Sequence, residues 1–242
     1  MYPSPNSNPD TPSWQGSLSM VAKIWAIFRK DMLIELRTKD SLNAMLFFGI
    51  LVLVIFNFAL EPVRESIRAA VPGVLWVAFA FAGTLGLNRI FAAEKENSCL
   101  QGLLMIPVDR GVLYLGKMLA ASVFMLVTEA VVFVFCLVFF NLTVWKEIPW
   151  LALVFLVGTL GFTSVGTLLA AVAANTRMRE VLLPLILFPV VLPVIVNAVE
   201  ATGIVLNTVD YGALRLPLTF MSVFTIVFTT VAYLLFDFVL ED

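Results

Sequence analysis

Histidine does not occur in this sequence of 242 residues. Its absence removes at one stroke the commonest metal ligand, the commonest general base and the usual axial ligand of haem iron. Cysteine is nearly as scarce. Cys99 stands in a polar loop and Cys136 inside an apolar run, and neither belongs to a C-x-x-C or C-x-x-C-H pattern, so no disulfide framework and no covalent haem site is expected. Charged residues make up only 13% of the chain, against roughly 25% in ordinary globular proteins. With no clustered basic stretch and interleaved aromatics, the electrostatic attraction that dominates nucleic-acid binding is missing, which excludes nucleic acid as a partner. The phosphate-cradling pattern G-x-x-x-x-G-K-[ST] is also lacking, so nucleotide is not bound by this chain in that way. No catalytic residue and no metal site emerges, and other subunits are expected to supply any chemistry.

What the sequence does have is apolar length. Hydrophobic residues account for 61% of it and the mean hydropathy is +1.00, more than one water-facing domain buries. The chain reads as an all-α integral membrane protein. Residues 1–17 are rich in Ser, Asn and Pro and are expected to be a disordered tail. They do not form a signal peptide, because no basic residue precedes Lys23 and no short apolar core precedes the first span. Residues 18–242 read as a single transmembrane domain.

Between about residues 20 and 40, Val21, Ile24, Trp25, Phe28, Met32 and Leu36 recur at helical spacing, with Lys23, Lys30 and Arg37 on the other side. This pattern predicts an amphipathic helix in the membrane interface. Six spans follow, at about 42–60, 71–93, 112–140, 149–174, 181–200 and 219–239. Pro72 and Pro149 are expected in first helical turns, where proline is tolerated. With the N-terminus inside, eleven Lys and Arg residues lie on the inner side, and only Arg64, Arg68, Lys146 and Arg215 lie outside. The positive-inside rule then puts both termini in the cytoplasm. Trp145 and Trp150 mark the outer interface.

Within the spans, Thr159, Thr163, Gly166, Ala170 and Ala174 form a seam of small residues, a packing face for use within the chain or in a dimer. Pro184, Pro189 and Pro193 predict a bent or broken fifth span, either static or part of a moving pathway. Residues 200–218 are too polar to span and read as an interfacial or re-entrant segment. Glu129 sits mid-way along the third span, where an ionised group is costly; it is either functional or a protonated, hydrogen-bonded structural acid. Arg89 and Lys117, near inner ends, are expected to snorkel, and Asp237 to be solvated.

The inner loop between the second and third spans carries the strongest pattern. Ser98 with Gln101 three residues on has the form of a capping box, and Pro107 ends the helix it starts. The short helix presents Leu100, Leu103 and Leu104, which must be buried against the bundle's own inner ends or against a soluble partner.

The run Glu94-Lys95-Glu96, Leu103-Leu104, Pro107-Val108, Asp109-Arg110 and Leu115-Gly116-Lys117 resembles the coupling segment of ABC-2-type permeases, whose short helix docks on an ATPase. Pro72-Gly73 with Trp76, Asn88-Arg89-Ile90-Phe91, the Gly158–Gly166 stretch, and Leu183-Pro184 with Phe188-Pro189 and Pro193 resemble the haem exporter protein B family, the permease subunit of the bacterial cytochrome c maturation system. Gln101 stands where the wider class usually carries Glu. The resemblance covers about residues 20–240. It implies an ABC-2-type architecture in the bacterial inner membrane, with Glu94, Glu96, Leu100, Gln101, Leu103, Leu104, Pro107 and Arg110 on the ATPase-coupling face. The implied partners are an ABC ATPase subunit that binds ATP, a second copy of this chain, a haem-handling C subunit, a small D subunit and the periplasmic haem chaperone. Haem would be handled by the complex, with no cofactor held by this chain. Two alternatives stay open at the level of sequence: an ABC-2 permease exporting a drug, lipid or glycan, and a proton-coupled carrier using Glu129.

Overall fold

The computed structural model describes residues 19–60, 67–96, 109–174, 176, 178–207 and 212–239, and within them the chain is helical with short connections. The first helix, α1 (Met20–Thr38), starts where the Ser19 hydroxyl accepts the Ala22 N–H at 3.3 Å, an ordinary serine cap. It stops at Lys39, whose left-handed backbone (φ 57°) lets its N–H reach the Glu35 carbonyl. The same residue launches α2 (Asp40–Ala59), so the elbow between α1 and the first long apolar helix is one residue long. Glu35 fixes this elbow a second time, because its carboxylate accepts the Leu42 N–H at 2.8 Å, an otherwise orphaned donor of the first turn of α2.

The remaining helices are α3 (Ile67–Glu96), α4 (Arg110–Phe139), α5 (Ile148–Ala174), α6 (Arg179–Asn207) and α7 (Arg215–Val239). Together with α2 they are six helices long and apolar enough to cross a membrane. They run up and down, so one end of the bundle carries α1, the α3–α4 connection and the end of α7, and the other carries the α4–α5 turn with exposed Trp145 and Trp150. At 1.5 Å per residue, the 30 residues of α3 and of α4 extend about 45 Å, well beyond the ~30 Å hydrocarbon layer. The apolar part of α3 stops at Arg89, and about two further turns of helix follow it to Glu96.

Helices α3, α4 and α5 form the centre, and α2, α6 and α7 keep long apolar faces exposed, as lipid-facing helices do. Trp76 of α3 anchors one half of the core. Its ring meets Phe79 and Phe155 edge-on, at centroid distances of 5.6 and 6.1 Å, the arrangement that aromatic quadrupoles favour. Its indole N–H donates to the Thr202 hydroxyl at 2.9 Å. Gly158 makes room for it, since a Cβ there would overlap the Trp76 ring.

Two expectations need correction. Pro72 lies beyond the first turn of α3, inside the helix, because the helix begins five residues earlier at Ile67; Pro149 does occupy the first turn of α5. The 200–218 stretch is not a separate interfacial segment. Helix α6 continues through it to Asn207 and α7 starts at Arg215, because Ala201, Thr202, Val205 and Leu206 form a buried face while Glu200 and Asn207 point outward. Helix α6 runs as one helix through Pro184, Pro189 and Pro193, so of the bent and broken forms expected it is not the broken one; each proline removes one donor from the helical ladder. The expected tail at 1–17 lies outside the described residues.

Candidate functional site

Of the coupling face expected from the sequence, the structure describes only the members at the ends of α3 and α4. Glu94 and Glu96 fall in the last turn of α3 and Arg110 opens α4, whereas Leu100, Gln101, Leu103, Leu104 and Pro107 lie outside the described residues. The start of α4 is held firmly. Asp109 caps it, accepting the Gly111 N–H at 2.9 Å through one carboxylate oxygen and the Tyr233 hydroxyl at 3.1 Å through the other. Arg110 donates to the Asp237 carbonyl at 2.6 Å. Gly111 lets the Tyr233 ring lie against the α4 backbone, where any Cβ would intrude. The final helix thus clamps the point at which the chain returns from the α3–α4 connection into the bundle.

A second clamp joins α4 to α1. Gly116 faces Ile27, and one turn further along α1 the Asp31 carboxylate lies 3.6 Å from the Lys117 ammonium, with Lys30 3.1 Å from Asp31. Lys117 is only 1% exposed, so the expectation that it snorkels is wrong. Its side chain is turned into the helix contact, where a buried ammonium is tolerated because a carboxylate comes to meet it. Arg89, by contrast, is exposed and donates to the Asp40 carbonyl at 3.4 Å.

Glu129 is 1% exposed and points into the bundle. The Thr159 hydroxyl lies 2.8 Å from both carboxylate oxygens and shares its single proton between them. Thr163 in turn donates to the Thr159 carbonyl, and its hydroxyl lies 2.7 Å from that of Ser122. The seam on α5 is therefore packed inside the chain. Thr159 and Thr163 meet α4, Gly166 admits Leu87 of α3, Ala170 is buried, and Ala174 packs at the edge of the core.

Sequence reasoning overlooked Asp31 and Glu35. They stand four residues apart on the buried side of α1, beside the half-buried Ile24 and Phe28, so their common direction was available from helical spacing. That Lys117 and Leu42 answer them was not, since those partners are defined only by how α1 crosses the bundle.

A family model described as CcmB protein matches residues 22–235. The chain belongs to this family. Among CcmB relatives, heme exporter protein B of Rhodobacter capsulatus is 26% identical over 200 residues, covering 81% of this chain and 88% of that protein. The protein of the same name from Pseudomonas aeruginosa is 27% identical over 168 residues, 69% of this chain and 74% of its own. For Escherichia coli K12 the 26% identity extends over 96 residues, so this chain spans less than half, 44%, of that relative. The CcmB match runs from the third residue of α1 into α7 and so takes in both clamps on α4 up to Tyr233, together with Glu129 and its threonines.

Proposed function

We propose that this chain is the membrane permease subunit of an ABC-type complex acting in cytochrome c maturation, coupling ATP hydrolysis by a partner subunit to haem trafficking or to release of the haem-loaded periplasmic chaperone. The observation that carries this reading is the family match over 22–235 on a bundle of six helices long and apolar enough to span, preceded by α1. The names of the relatives, heme exporter protein B, support the haem part. In this reading the α3–α4 end faces the cytoplasm and both termini with it, and two copies of the chain assemble with ATPase, C and D subunits. The clamps on α4 suit force transfer: a push on the α3–α4 connection reaches a helix bolted to α1 through Asp31 and to α7 through Asp109 and Arg110, so the three helices move as a unit.

Leu103→Asp tests this reading, because it places an unpaired charge in the expected ATPase contact, at a cost of a few kcal/mol. The expected outcome is loss of ATPase co-purification with a membrane subunit that still accumulates and melts normally. Undiminished co-purification of the ATPase would overturn the docking role of the 98–106 segment.

A further inference from the structure

The charges of α1 are sorted by sign. Its two acids, Asp31 and Glu35, are buried and used, one on Lys117 and the other on the Leu42 N–H. Away from them an exposed line winds along the helix, Val21, Trp25, Arg29, Leu33 and Arg37 at successive spacings of four, so Arg37 continues the apolar line instead of lying across from it as the sequence pattern suggests, and the exposed Lys39 follows at the elbow. Val21, Trp25 and Leu33 are 74%, 63% and 51% exposed, which water alone would not favour over so contiguous a stripe. A surface that pairs aliphatic and indole groups with arginines, and presents no carboxylate of its own helix, is complementary to a molecule with apolar chains and an anionic head.

We infer that this face of α1 binds anionic phospholipid, with the acyl chains against Val21, Trp25 and Leu33 and the phosphate headgroup on Arg29, Arg37 and Lys39. Lipid is the occupant because the stripe runs through a one-residue elbow into α2, whose outward residues Phe47, Ile55 and Phe58 are 72%, 56% and 69% exposed and face hydrocarbon. The stripe therefore lies where hydrocarbon meets headgroups. Arginine suits that boundary, since its stem packs on apolar surface while the guanidinium reaches phosphate in two-pronged fashion. Juxtamembrane cations each add about 1 kcal/mol of attraction to an anionic leaflet, roughly a fivefold preference apiece. The inference needs no ATPase and stands apart from the function proposed above.

The test uses the full chain in phosphatidylcholine nanodiscs containing a minority of acyl-brominated lipid, either phosphatidylglycerol or phosphatidylcholine. Quenching assigned to Trp25, taken as the part lost in Trp25→Phe, is expected to be several-fold stronger with the brominated anionic lipid. Arg29→Gln/Arg37→Gln/Lys39→Gln should bring the two lipids to equal quenching, and excess glycerol phosphate should not compete. Equal quenching in the unaltered protein overturns the inference, as does competition by glycerol phosphate, which would mean a free-phosphate site. No quenching of Trp25 by either lipid also overturns it, because the face would then be covered by protein. If the triple variant does not fold, raising salt on the unaltered protein decides the matter. The anionic preference should collapse with salt, and a preference that persists rejects the headgroup contact.

Discussion

At the scale of residues, the energetics turn on polar groups placed where water is scarce. Thr159 is the donor the structure shows for the buried Glu129 carboxyl. Removing a donor while leaving its buried acceptor costs about 1–3 kcal/mol. Thr159→Val is therefore expected to lower the thermal unfolding midpoint in detergent by several degrees. Glu129→Gln keeps the shape and the bond, and maturation of cytochrome c should survive it. An assembled but inactive Glu129→Gln complex would show instead that the charge or proton has a part in the cycle. The Asp31–Lys117 contact makes a sharper case. Lys117→Met takes the buried cation from Asp31 and leaves it only the part-exposed Lys30 at 3.1 Å, a loss below the roughly 3–5 kcal/mol of a fully unpaired buried charge, whereas Asp31→Asn together with Lys117→Met removes both charges and should regain most of it. A single variant as stable as the double would show that the pair is not buried as described.

At the scale of helices, close approach decides more than propensity does. Gly158→Val drives carbon into the Trp76 ring, which already meets Phe79, Phe155 and the Thr202 hydroxyl, and overpacking of this kind costs about 1–3 kcal/mol. Gly203→Ala provides the contrast, because its nearest neighbour is Pro72 Cγ at an ordinary 3.8 Å and alanine is the better helix former by roughly 0.5–1 kcal/mol. Unfolding midpoints should move down for the first and stay level or rise for the second. The spans themselves were legible from apolar length, since α2, α4 and α5 begin and end within two residues of where the sequence puts them. The extension of α6 to Asn207 was not. Composition averages Glu200 and Asn207 with their neighbours, whereas the helix sorts them outward and buries Ala201, Thr202 and Val205 on the other side. For the same reason Lys117 reads as a snorkelling end from the sequence of α4 alone and becomes an ion pair only when α1 crosses it.

At the scale of the whole molecule, the described residues form a bundle with exposed apolar flanks around a closely packed centre. Haem coordination tests this packing most directly. Without histidine, iron would have to find Met, Tyr or Cys. Tyr114 is fully buried and donates to the Ser164 carbonyl at 2.8 Å, Cys136 is fully buried, and Met45, Met118, Met125 and Met221 sit within the core. Each of these side chains already fills packing space, and turning one toward iron would open the cavity it leaves behind, at about 2–5 kcal/mol for a buried Met-sized side chain. The purified chain in detergent, mixed with haem and desalted, is therefore expected to show no stoichiometric Soret band, leaving firm ligation to other subunits of the complex. A stable one-to-one spectrum that disappeared on replacing one of these methionines or Tyr114 would show that the bundle opens to admit haem, and would make this chain a haem carrier in its own right.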